Sequence, residues 1–148
     1  MIFLLLLSFC SCTKEQWVWF HPELYSTEDY PSLMEFPAAG GSTTFVFLSS
    51  TERVAANCST GYEEGSLASQ IKSGWLFANA RIDKSAKRLA EGQWMMTYIL
   101  TIGPNTTGMP IEAYFSVWTG NGLFALNKSI SISIVIPPID DMTALSAE

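Results

Sequence analysis

The chain has 148 residues, enough for one domain and not comfortably two. Hydrophobic residues at 48% supply a packed core, while charged residues reach only 15% against about 25% in an average globular protein. A net charge of −6 opposes a phosphate backbone, so nucleic acid is not an expected partner.

Residues 2–9 are an apolar run, far too short to span a bilayer but suited to the apolar region of a signal peptide. Phe9-Cys10-Ser11-Cys12-Thr13-Lys14-Glu15 follows. This stretch resembles bacterial lipoprotein precursors, in which a small residue precedes the lipidated cysteine. Ser11 before Cys12 fits that pattern, and Phe9 before Cys10 does not. The resemblance implies a signal peptide over residues 1–11, lipidation at Cys12 and a lipid anchor in the outer membrane. Lys14-Glu15 resembles the charged signal that sends some Bacteroidota lipoproteins to the cell surface. The alternative for the apolar run is a buried N-terminal strand. Each buried methylene of an acyl chain is worth about 0.8 kcal/mol, and several chains together hold a protein lastingly. With Cys10 removed and Cys12 acylated, Cys58 has no partner for an intrachain disulfide and reads as a small core residue.

Residues 12–30 form a linker unusually rich in aromatics: Trp17, Trp19, Phe20, Tyr25 and Tyr30, with the lone histidine, His21. Flexible tethers are normally poor in such residues. The segment either packs on the domain or serves as an adhesive or membrane-interface element.

Period-two patterns then follow in series. Phe45 and Phe47 share a face in residues 42–49. In residues 94–102, Trp94, Met96, Tyr98, Leu100 and Ile102 lie on one side. Residues 104–108, Pro-Asn-Thr-Thr-Gly, are turn chemistry. Ile111, Ala113, Phe115 and Val117 alternate with Glu112, Tyr114, Ser116 and Trp118, and Gly120-Asn121-Gly122 makes the next turn. Ile130, Ile132, Ile134 and Ile136 alternate with serines until Pro137-Pro138 ends the strand. Residues 139–148 read as a polar tail. Helix is limited to a turn or two within residues 66–71 and 84–91. The basic cluster Arg81, Lys84, Lys87 and Arg88 reads as a solvated loop or helical turn. Successive short strands joined by turns predict an all-β antiparallel sandwich or barrel.

Phe36-Pro37-Ala38-Ala39-Gly40-Gly41-Ser42 resembles the opening of BACON domains (Bacteroidetes-associated carbohydrate-binding often N-terminal). Trp75-Leu76, the Asn105-Thr106 turn and the Ser/Ile strand ending at Ile136 match that family in order, over residues 31–138. Pro137 replaces the family's Gln after the last strand, and residues 51–57 lack its Trp, which marks a divergent member. The resemblance implies an immunoglobulin-like β-sandwich of about seven or eight strands and a role in sugar binding. Physically, Gly40-Gly41 permits positive φ at a tight reversal between strands.

His21 lies outside the domain, so a Ser-His-Asp or Cys-His device within it is excluded. The sequence holds no cluster of zinc-ligand type and no phosphate-cradling loop. The acid pairs Glu63-Glu64 and Asp140-Asp141 could serve calcium only from loops. No catalytic residue, cofactor or metal is expected. Asn57, Asn105 and Asn127 open glycosylation triplets that match by chance in a bacterial lipoprotein.

If the apolar phase of residues 111–117 faces the core, Glu112, Tyr114 and Trp118 face outward, two rings and an acid on one sheet face. Sugars present apolar faces and polar rims to such groups. These three residues are the candidate glycan site, unless the N-terminal aromatic segment or a loop covers them. Trp75 and Trp94 read as core. Two functions follow: a lipid-anchored, non-catalytic glycan-binding module, or a spacer or interaction subunit of an outer-membrane assembly without a small ligand. A subunit of a fimbria-like polymer is a third.

Overall fold

The computed structural model describes residues 23–61, 65–119 and 128–140. Eight strands and one helix occupy them: β1 (Leu24–Ser26), β2 (Leu33–Glu35), β3 (Gly41–Ser49), β4 (Val54–Thr60), α1 (Leu67–Asn79), β5 (Ala80–Ala90), β6 (Gln93–Ile102), β7 (Ile111–Thr119) and β8 (Ser129–Ile136). They form two four-stranded sheets, ordered β1-β3-β6-β5 and β2-β8-β7-β4. Every pairing is antiparallel except β2 with β8, which is parallel. The described residues therefore form an all-β sandwich of eight strands, with the strand order of immunoglobulin-type folds.

Alternation explains the layering. β7 buries Ile111, Ala113, Phe115 and Val117, and β8 buries Ile132, Ile134 and Ile136. β3 and β6 answer from the other sheet with Phe45, Phe47, Met96, Tyr98, Leu100 and Ile102. Phe45 stacks on Phe115 across the interface at 4.4 Å between ring centroids, and Tyr98 meets the same Phe115 edge-on at 6.1 Å. Such pairs add about 0.5–1.5 kcal/mol beyond the area they bury. They stand where many sandwiches of this type carry a disulfide; Cys58 is free and half-buried against the core.

β1 lies within residues 12–30, the stretch read from sequence as a linker, yet it pairs with the end of β3. Leu24 is buried, and Tyr30 packs edge-on to Phe45 at 5.2 Å while its hydroxyl accepts a 2.8 Å bond from the Val46 amide. For these two residues packing on the domain is the observed arrangement, whereas Tyr25 is exposed.

The glycine pair makes the expected reversal with only one residue at positive φ. Gly40 has φ +85°, and a Cβ there would stand 2.5 Å from the Ile102 carbonyl oxygen.

The helical expectations need correction. The turn predicted in residues 66–71 is the start of a thirteen-residue helix, capped by Ser66, whose Oγ accepts from the Ser69 amide at 3.0 Å. Residues 84–91 are not helical. They belong almost wholly to β5, an eleven-residue edge strand exposed from Asp83 onward, and the basic cluster rides on it rather than on a loop. Edge strands are commonly guarded by such charges.

Candidate functional site

The outward phase of β7 carries Glu112, Tyr114, Ser116 and Trp118. Glu112 is exposed, Tyr114 is 42% exposed and Trp118 is half-buried, so the described residues do not bury the two rings.

Register with the flanking strands builds the face in rows. Glu35, Val135 and Glu112 form the first, and Leu33, Ser133, Tyr114 and Ser59 the second. Ser131, Ser116 and Asn57 form the third, and Ser129, Trp118 and Ala55 the last. Ser116 and Ser131 share a 2.8 Å hydroxyl–hydroxyl hydrogen bond. Tyr114 and Trp118 are thus separated by a field of short serine and asparagine side chains, about 13 Å along the strand.

Trp118 closes one end. It borders an open cleft of about 230 Å³ together with Arg53, Val54, Ala55 and Lys84. Ala55, opposite Trp118 in register, leaves room beside the indole. Lys84 sits in the inward phase of β5, paired with Tyr98, and crosses the open seam between the sheets. Its ammonium donates to the carbonyl oxygens of Val54 at 2.7 Å and Glu52 at 3.3 Å. The Arg53 amide donates to Thr51 Oγ1 at 3.1 Å, and no acidic side chain among the described residues pairs with its guanidinium.

The face is electrically polarised. Arg53 and Lys84 bring positive charge to the Trp118 end, and Glu112 and Glu35 bring negative charge to the other. At roughly 4.8 Å per strand, those two carboxylates spring from backbone positions about 10 Å apart, with Val135 between them.

Burial pushes the Cys58 thiol up to about 11, so the thiolate is disfavoured there. Among the described residues no three His, Cys, Asp or Glu side chains gather as a metal site, and no helix is long and apolar enough to cross a membrane. Asn105, the start of a glycosylation triplet, is fully buried and holds a turn together by four side-chain bonds. Trp75 and Trp94 are half-buried against the core.

Several sequence candidates lie outside the described residues. They are the signal segment with Cys12, the aromatics Trp17, Trp19 and Phe20, and His21. The same holds for Glu63-Glu64, Gly120-Asn121-Gly122, Asn127, Asp141 and the tail beyond it.

Sequence reasoning reached Glu112, Tyr114 and Trp118 and missed Arg53 and Lys84. The available signal was phase: Lys84 follows Ile82 at the spacing of inward residues, a position that usually holds an apolar side chain. Sequence reasoning also missed the outer face of α1, where Leu67, Ile71 and Phe77 are 72%, 42% and 91% exposed.

No protein-family model matches the chain, and no curated protein matches it.

Proposed function

We propose that this chain is an exported lipoprotein, acylated at Cys12 and held at the outer membrane, whose sandwich is a non-catalytic, BACON-like module that binds glycans on the outer face of β4, β7 and β8. The observation that carries the reading is the pair of accessible rings, Tyr114 and Trp118, on either side of a serine and asparagine field. Rings stack on the apolar faces of sugars, and short hydroxyl and amide groups between them bond the rims without obstructing the chain. The Ser11-Cys12 pattern supports the lipid anchor, and Lys14-Glu15 supports placement at the cell surface.

The test is retention of the full chain on immobilised polysaccharides. Wild type is retained, and Trp118→Ala and Tyr114→Ala are not, while both variants keep the wild-type circular dichroism. Failure of wild type to be retained on any polysaccharide refutes the glycan role. Mass spectrometry of the native protein tests the anchor separately: a mature N-terminus at Cys12 bearing fatty acyl chains is expected, and a chain beginning before Cys12 without lipid contradicts it.

The apolar outer face of α1 favours a second reading, an accessory subunit of an envelope assembly. Contact surfaces are marked by grouped exposed apolar side chains, and Leu67, Ile71 and Phe77 are exposed on this one helix. Phe77→Ser separates the two, since it leaves glycan retention intact and releases any protein partner.

A further inference from the structure

We infer that the cavity at Trp118 selects acidic glycans, taking a sugar unit that bears a carboxylate or a sulfate. The inference rests on the glycan reading of the same face and adds the class of sugar.

The chain as a whole is acidic, with net charge −6, yet the side chains around this cavity include two cations and no acid. Lys84 is held in place rather than swinging free, because two carbonyl oxygens engage its ammonium at 2.7 and 3.3 Å. An ammonium has three donors, so one remains. Arg53 carries a planar fork of donors that matches a carboxylate or a sulfate in bidentate fashion. No acidic side chain among the described residues occupies that fork. The Trp118 ring supplies the apolar surface on which the sugar rests.

Size and polarity agree. A volume of about 230 Å³ lies below the roughly 300–1,000 Å³ of pockets for larger ligands and suits a single sugar unit. From there the chain runs over the serine field toward Tyr114. Glu112 and Glu35, at the far end, repel an anion and leave the Trp118 end as its seat.

Affinity electrophoresis of the full chain in neutral detergent provides the test, with polygalacturonate, dextran sulfate, neutral dextran and inorganic polyphosphate as probes. Retardation by polygalacturonate or dextran sulfate is expected to exceed that by dextran and by polyphosphate. Arg53→Gln should weaken acidic-glycan binding about tenfold and lower the dextran response by a much smaller factor. Lys87→Gln, on β5 but outside the cavity, should change neither. Arg53 is the primary variant because Lys84→Met also loosens the seam. Equal binding of dextran, or an Arg53→Gln variant that binds like wild type, overturns the acidic preference; if Trp118→Ala still abolishes binding in that case, the glycan reading stands. Polyphosphate binding as tight as polygalacturonate reduces the effect to general charge and overturns the inference. No retardation by any polysaccharide removes the glycan reading as well.

Discussion

The Tyr98 hydroxyl donates to the Val54 carbonyl oxygen at 2.9 Å, joining β6 of one sheet to β4 of the other within the core. The Lys84 ammonium reaches the same oxygen from β5. One carbonyl therefore anchors the seam beside the Trp118 cavity, and the stability of the fold is tied to the shape of the site.

Tyr98→Phe removes one of those donors while Lys84 keeps the carbonyl partnered. The expected loss is about 1 kcal/mol, since a neutral hydrogen bond contributes on that order and nothing is left orphaned. A urea unfolding curve reads it as a lower midpoint with an unchanged slope. A loss several times larger would mean that the ring, not the hydroxyl, is disturbed.

The two glycines of the Gly40-Gly41 pair should respond differently to alanine. At Gly40 a Cβ meets the Ile102 carbonyl oxygen at 2.5 Å and the backbone sits at φ +85°, so Gly40→Ala should cost about 3 kcal/mol or more. At Gly41 the nearest atom is the Pro37 Cδ at 3.7 Å, so Gly41→Ala should shift stability by less than about 1 kcal/mol. Thermal unfolding of both variants, side by side, is the check.

Asn105 donates to the carbonyls of Met109 and Ile136 at 2.8 and 2.9 Å and accepts from the Thr107 amide and hydroxyl. Asn105→Ala strands these groups in the interior and should cost about 3 kcal/mol. In Asn105→Asp an ionised carboxylate would face two carbonyl oxygens. That variant should be least stable at neutral pH and regain stability in acid, where a protonated carboxyl can donate again. Unfolding midpoints across the acid range read both effects.

Burial raises the Cys58 thiol from 9.0 to about 11 and the Tyr98 phenol from 10.0 to about 12. The folded state thus holds these protons more tightly than the unfolded chain does. Below pH about 9 both forms are protonated and the groups confer no pH dependence; above it the unfolded chain ionises first, and stability falls as pH rises from about 9 to about 12. Cys58→Ala should flatten the lower part of that decline. Alkylation by iodoacetamide should be slow in the folded chain and rapid in urea.

The sequence made the central strands legible because each has one dry and one wet face. The Ser/Ile alternation marks β8 to its exact ends, and the alternation in β7 assigns Glu112 and Tyr114 to the exposed side. β1 and β2, three residues each, are too short to show any period. β5 fails for a different reason: from Asp83 onward both of its faces are wet, so no apolar alternation exists and Ala, Lys and Arg mimic a helix. α1 extends past residue 71 because Leu76 buries and Trp75 half-buries on the sheets, while Leu67, Ile71 and Phe77 point outward and scramble the apolar stripe. Arg53, Lys84 and Trp118 come from three separate parts of the chain, so only the tertiary fold brings them together.

The most direct measurement is a titration of isotope-labelled chain with polygalacturonate fragments, followed by NMR. Shifts should concentrate on the Trp118 indole N–H and the amides of Ala55, Ser116, Tyr114 and Ser131, and leave α1 unmoved. Shifts confined to α1, or none anywhere at saturating sugar, would contradict an acidic-glycan site on this face.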